Sequence, residues 1–419
     1  MHDQISGGYN MFHFGRKHDS QPWQKYENKK LDFPSYDRTP KVFTSRYAYD
    51  AKEKCYLKKD GSDSFRATIM CAGDLMCEPA MSRAMMVQDL QKFFFEHGFE
   101  KVRKVLYTAD LAIANLETMV TERAPYAHEI HRFEGRYHCN APKEYLDALR
   151  YAGFDAFALA NNHNADVGAE GIFDTIHNID EKGFMHTGLF TSETDPRALV
   201  VNVNGIQLGI LSYTEHINSN LDKQVLNPLG QETLVNRYAL QKLKADIAAA
   251  KAAGAEFVLC YIHFRCKEYS HQVTEHQKAV AQEMADAGAD CIMGSHSHAL
   301  QSYDAVIDPF GKRVPIVYSL GNFMTSDNTS MITRTSMIYK LVLEKKQGKV
   351  VISDESYIPC RIVEDIGSQM YTIWPTAKDW DNGKERELLK KAEADIKAVI
   401  GDKIRMDHEV PGQRSGWSV

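Results

Sequence analysis

The chain has 419 residues, 43% of them hydrophobic, with a formal net charge of −6 and a mean hydropathy of −0.42. That is enough apolar material for one large domain with additions or for two smaller ones, and the mixed-sign charge gives no nucleic-acid footprint. No apolar run approaches the roughly 20 residues needed to cross a bilayer. The N-terminal MHDQISGGYNMFHFGRKHDS lacks the apolar stretch of a secretory signal. Eight scattered cysteines form no CxxC pair, and Cys71, Cys260 and Cys291 sit in apolar runs; they read as reduced and buried in a cytoplasmic protein.

Residues 1–64 are polar, rich in Lys, Asp and Tyr, and weakly periodic. They read as an extension that lies over the domain or is partly disordered, with some anchoring from Trp23, Phe33 and Phe43. Order is expected to start near Phe65, where FRATIMCAG is a buried strand leading to Asp74. A helix is expected over 79–97, with Pro79 in its first turn. Strand LAIAN, helix APKEYLDALRYAG, strand FDAFALA and a helix over 169–182 then alternate as βαβ units do. RALVVNVNGIQLGILSYT is a hairpin turning on Asn204-Gly205. An Ala- and Lys-rich helix over 234–253 stops at Gly254. Strand FVLCYIH, a helix over 274–287, and strands DCIMG and VPIVYSLGN complete a core domain of residues 65–334. Residues 335–419 add the strand-like SMIYKLVLEKKQGKVVISDESYI, with its turn at Gln-Gly, and a charged helix over 384–400. Mixed parallel and hairpin strands predict an α/β fold of two sheets with helices outside.

Five apolar runs end in metal-ligand residue types: Asp74; Asn115 and Glu117; Asn162 and His163; His263; His296 and His298. Parallel α/β sheets gather ligands at the carboxyl ends of their strands, and carboxylate, amide and imidazole together point to a metal centre. Asp74 can bind a metal or cap the helix that begins near Pro79. Asn115 and Glu117, at i and i+2, face one cavity if the strand continues. Asn161, Asn162 and Asn164 suit a turn, but His163 followed by Asp166 suggests a ring oriented by a carboxylate. In extended backbone His296 and His298 would present both imidazoles on one face. Glu268, Tyr269 and His271 follow His263 without a clear assignment, and Ser319, Gly321 and Asn322 read as support for the site.

Taken in order, AGDLM, ANLET, LANNHNADVGAEGI, VNGIQLGILSYT, the KEY beyond His263, GADCIMGSHSHALQ and YSLGNF resemble the poly-γ-glutamate capsule-biosynthesis (CapA-type) family. That family lies within the metallo-dependent phosphatase, or calcineurin-like, superfamily, and the resemblance covers residues 67–322. It implies a four-layer αββα two-sheet sandwich with a metal site at the sheet edge. It further implies Asp74, Glu117, Asn162, His263, His296 and His298 as ligands of one or two divalent ions (Mn, Fe, Zn or Mg). His163 resembles the residue that contacts the phosphoryl group or protonates the leaving group, and Asp166 its orienting partner. The chain departs from the pattern in three places. Met76 stands where the superfamily's phosphatases usually carry His, HFRCKEY replaces the usual HWGxEY, and no N-terminal membrane anchor is seen. The resemblance implies either a metal-dependent hydrolase of phosphoesterase type using a metal-bound hydroxide, or a non-catalytic accessory or binding protein for an anionic poly-γ-glutamate polymer. Under both, the partner is anionic, polymer or phosphoester, and Arg132, Arg136, Arg265 and Lys267 are placed to meet it; neither nucleic acid binding nor membrane insertion is expected.

Overall fold

The computed structural model describes residues 45–87, 92–124, 126, 132–133, 136–218, 232–327, 329–364, 370–376 and 385–407. Trp23, Phe33 and Phe43 lie outside these residues, as do the side chains of Arg132 and Arg136. The sheets begin with β1 (Tyr47–Asp50), β2 (Cys55–Lys58), β3 (Arg66–Leu75), β4 (Leu111–Leu116), β5 (Ala156–Ala158) and β6 (Met185–Thr187). They continue with β7 (Leu199–Val203), β8 (Ile206–Thr214), β9 (Phe257–His263), β10 (Cys291–Ser295), β11 (Tyr303–Ile307) and β12 (Arg313–Val317). The last are β13 (Asn322–Met324), β14 (Thr335–Lys346), β15 (Lys349–Glu364), β16 (Tyr371–Pro375) and β17 (Arg405–Met406). The helices are α1 (Pro79–Ala84), α2 (Glu100–Leu106), α3 (Lys143–Ala152), α4 (Gly168–Glu181), α5 (Leu240–Ala252), α6 (Glu275–Asp286) and α7 (Arg386–Ile400).

The first sheet has eight strands in the order β1-β2-β7-β8-β9-β10-β12-β11. The second has nine: β6-β5-β4-β3-β14-β15-β16, with β13 on β3 and β17 on β15. Strand period decides the layers. Along β3, Ala67, Ile69 and Cys71 face the interior between the sheets, with Ile113, Leu259, Tyr261, Met293 and Tyr339. Met70 and Ala72 point the other way, to Leu106, Tyr145, Leu149 and Ile176 of α2, α3 and α4. On the first sheet Val258, Cys260 and Ile262 face outward to Leu243 and Ile247 of α5 and Val280 and Met284 of α6. The result is the expected four-layer αββα sandwich. Each fully buried Leu, Ile or Phe contributes about 1.5–3 kcal/mol relative to exposure. Among the described residues no helix is long and apolar enough to cross a membrane.

Several elements differ from the sequence reading. The first sheet begins before Phe65, because the β1–β2 hairpin pairs with β7. Its anchors are single polar contacts with no periodicity: Arg46 pairs with Asp155, and the Tyr47 hydroxyl donates to the Asp110 carbonyl at 2.7 Å. The helix expected over 79–97 ends at Ala84, and Met86–Val87 instead pairs antiparallel with Lys92–Phe93. The helix expected from 234 starts at Leu240. VPIVYSLGN is not one strand: β12 stays in the first sheet, while β13, beginning at Asn322, joins the second beside β3. The chain therefore crosses between sheets at 318–321. There the Gly321 carbonyl accepts from the Asp74 amide at 3.1 Å. It lies so close to Gly73 that a Cβ on residue 73 would overlap it. The Asn204-Gly205 turn has φ of 54° and 88°, as its hairpin requires.

Candidate metal centre

The second sheet supplies oxygen. β3 delivers Asp74 and β4 delivers Asn115, with Glu117 just beyond. The Asn115 Nδ2 donates to Asp74 Oδ1 at 2.7 Å and to Glu117 Oε2 at 3.1 Å. One carboxamide thus aligns two carboxylates, and leaves Asp74 Oδ2 and Glu117 Oε1 buried without a hydrogen-bond partner. Asp74 does not cap α1. That position is Glu78, whose carboxylate instead accepts from Ser326 N and Oγ, both at 2.9 Å, and from the Thr325 hydroxyl.

The turn after β5 divides the Asn residues by role. Asn161 Nδ2 donates to the Leu116 and Leu159 carbonyls at 2.9 and 3.0 Å, and Asn164 accepts from the Asn161 amide at 2.7 Å. These two build the turn. Asn162 Nδ2 is held by Asn218 Oδ1 at 2.9 Å, which leaves its own Oδ1 buried and unpartnered. His163 Nδ1 lies 2.6 Å from Asp166 Oδ2, an oxygen that also accepts from the Cys139 amide at 2.9 Å. Burial opposes a charged His163 ring, but the Asp166 carboxylate outweighs it and the pKa is raised.

The first sheet supplies nitrogen. His263 ends β9, and its Nδ1 meets Ser295 Oγ at 2.8 Å. His298 Nδ1 meets Asn322 Oδ1 at 3.0 Å. Each partner holds the ring by Nδ1 and leaves Nε2 for another partner, an arrangement of the kind that supports metal-binding imidazoles. His296 and His298 do not lie in extended backbone: their φ values are 90° and 52°. Both imidazoles still enter the cluster, carried by left-handed conformations that are costly for side chains of this kind.

The two sets meet. Glu117 Oε1 is 3.5 Å from His263 Nε2 and 3.9 Å from His298 Nε2, Asp74 Oδ2 is 3.8 Å from His298 Nδ1, and His296 Nδ1 is 3.1 Å from His263 Nε2. Glu117–His263–His296 and Asp74–Glu117–His298 each place their ligand atoms within 4.8 Å of one another, with Glu117 common to both. Burial, then Asp74, pushes the Glu117 carboxyl well above its ordinary range, while burial and neighbouring imidazoles push His263 and His296 well below theirs. Unpaired buried oxygens facing neutral imidazoles fit a divalent cation. Asn162, His163 and Asp166 join this cluster through Asn161, whose Nδ2 also lies 3.5 Å from Asn115 Oδ1.

Sequence reasoning missed His216, whose ring sits edge-on to His296 at 4.4 Å between centroids. The strand-tip signal was there, since His216 follows β8 by two residues. Glu78, Ser295 and Asn218 carried no signal of their own. His271 turns away, its Nδ1 on the Leu300 carbonyl at 2.6 Å.

The family described as bacterial capsule synthesis protein PGA_cap matches residues 68–327. A capsule biosynthesis protein CapA from Bacillus anthracis is 29% identical over 262 residues, covering 62% of this chain and 60% of its own length. The chain thus spans about 60% of that relative. The PGA biosynthesis protein CapA of Bacillus subtilis strain 168 is 25% identical over 334 residues, 77% of this chain and 80% of that protein. Among solved structures, the calcineurin-like phosphoesterase YfkN from Bacillus subtilis aligns with a TM-score of 0.39 at 14% identity, covering 80% of this chain and 99% of that one.

Proposed function

Because this chain belongs to the bacterial capsule synthesis protein PGA_cap family, we propose that it is a metal-dependent hydrolase of phosphoesterase type acting on an anionic substrate, a phosphoester or a poly-γ-glutamate polymer. One observation carries the reading: Asp74 Oδ2, Glu117 Oε1 and Asn162 Oδ1 are buried without partners, and the two carboxylate oxygens face His263 and His298. Asp74, Glu117, Asn162, His263, His296 and His298 would hold one or two divalent ions. Such ions supply Lewis acidity, polarising a phosphoryl or carbonyl oxygen and acidifying a bound water.

The chain's own groups do the rest. Asn115 keeps the two carboxylates aligned, and Ser295 and Asn322 hold the His263 and His298 rings by Nδ1. Asp166 holds His163 by Nδ1, which assigns proton transfer to Nε2 and makes the ring the acid for the leaving oxygen. Arg265 and Lys267, exposed just past His263, favour an anionic substrate.

The test is turnover of phosphoester and glutamyl-amide substrates by metal-replete protein. His163→Ala is expected to lose about 10²–10⁴ in rate at unchanged metal content, and Asp166→Asn to lose less, since the ring stays but loses its charged partner. Full activity in metal-replete His163→Ala removes the acid role. No turnover by the parent, with poly-γ-glutamate binding equal in parent and variants, turns the assignment to a polymer-binding accessory protein.

A further inference from the structure

The loop 265–272 is built more firmly than an exposed connection needs. Tyr269 sits at φ 55°, an unfavourable conformation for an aromatic residue. Its amide donates to the Ser297 carbonyl at 2.7 Å, between the two histidines. Gln301 Nε2 donates to the Ser270 and Gln272 carbonyls at 3.1 and 3.0 Å, and Gln277 Nε2 holds the Gln301 oxygen at 2.7 Å. Gln277 is itself fixed in a capping box with Thr274 at the start of α6. Strain of this kind persists where the surroundings over-determine it, and it clusters at functional sites. Of the seven non-glycine residues with positive φ among those described, Tyr269, His296 and His298 fall here. The Tyr269 ring stands 5.9 Å from that of His298.

What the loop delivers is Glu268. His263, His298 and His163 each have one ring nitrogen engaged by a serine, an amide or a carboxylate. His296 directs Nδ1 inward to His263, and its Nε2 faces Glu268 Oε1 at 4.0 Å. Glu268, His296 and His298 also keep their ligand atoms within 4.8 Å of one another. The Glu268 side chain is 44% exposed, while that of His296 is buried.

We propose that Glu268 is a positioning residue of the metal centre, which accepts from His296 Nε2 and so fixes Nδ1 as the coordinating atom. The assignment rests on the metal-centre reading above. A carboxylate behind an imidazole orients the ring and raises its basicity toward the cation. It supplies for His296 what Ser295 and Asn322 supply for the other two rings.

Titrating the metal-free full chain calorimetrically with Mn²⁺ and with Zn²⁺ tests this. Glu268→Gln is expected to weaken affinity about 10-fold and Glu268→Ala up to about 100-fold, with stoichiometry and the melting temperature of the metal-free protein unchanged. Glu268→Asp should recover part of the loss, and Lys278→Ala, on the exposed face of α6, should match the parent. Parent-like affinity in Glu268→Ala overturns the assignment, as does loss of one whole equivalent, which would make Glu268 a direct ligand. Failure of the parent to bind either ion, with His263→Ala indistinguishable from it, instead overturns the metal-centre reading itself.

Discussion

The two sheets bring different chemistry to one edge. The second sheet contributes Asp74, Asn115, Glu117 and Asn162, all oxygen donors or their holders, on strands β3 to β5 and the turns that follow. The first contributes His263, His296 and His298, with His216 beside them, from strands β8 to β10. Neither sheet offers a full ligand set of its own, so a cation held here would tie one layer to the other. The backbones differ too. The second sheet presents its ligands from a pleated ladder that needs close contact at Gly73. The first presents His296 and His298 from strained turns. A carboxylate reaches its place by strand register; a pair of imidazoles on one short loop needs unusual φ to converge.

Glu117 is the only residue common to both of the ligand groups that draw on the two sheets, and replacing it gives the largest expected effect on metal content. Glu117→Gln should abolish stoichiometric binding, whereas Asp74→Asn and His263→Ala should each remove at most one equivalent, read as metal per protein by elemental analysis. Equal losses in all three would break the division into two positions. A smaller effect is expected from chelation of the intact protein. An ion that binds the folded chain and not the unfolded one, present at 100 times its Kd, stabilises the fold by about 2.7 kcal/mol, lost when a chelator is added; identical melting curves would show that no such ion is bound. The smallest change is expected from Met76→His, on the second-sheet side, where a buried thioether follows Asp74 by two residues. It should tighten the equivalent held beside Asp74 and leave the one beside His263 unchanged, a difference visible as a shift in one limb of a biphasic titration.

Much of this was legible beforehand, for a local reason. Asp74, Glu117, Asn162, His263, His296 and His298 all follow apolar runs, and a buried strand that ends in a polar tip shows its pattern within a few residues. The structure separates what the pattern left joined. Asp74 could have been a helix cap, and only the position of Glu78 at the start of α1 removes that role. Asn161 and Asn164 serve the turn while Asn162 directs its oxygen into the protein, a split that depends on nearby Leu159 and on Leu116 and Asn218, far away in sequence. The expected extended H-x-H gave the right convergence by the wrong backbone, since His296 and His298 both have positive φ.

By itself the sequence determined the strands that lead to Asp74, Glu117, Asn162, His263 and His296 and the residue types that stand beyond their ends, since side-chain period and turn chemistry act over short range. Only the tertiary structure decided which sheet each strand joins, that the chain changes sheets between Val317 and Asn322, and that the β1–β2 hairpin belongs to the first layer. Those choices rest on pairing between segments up to some hundreds of residues apart, on single buried polar contacts such as Arg46 with Asp155, and on close backbone approach at Gly73. None of these leaves a periodic trace along the chain.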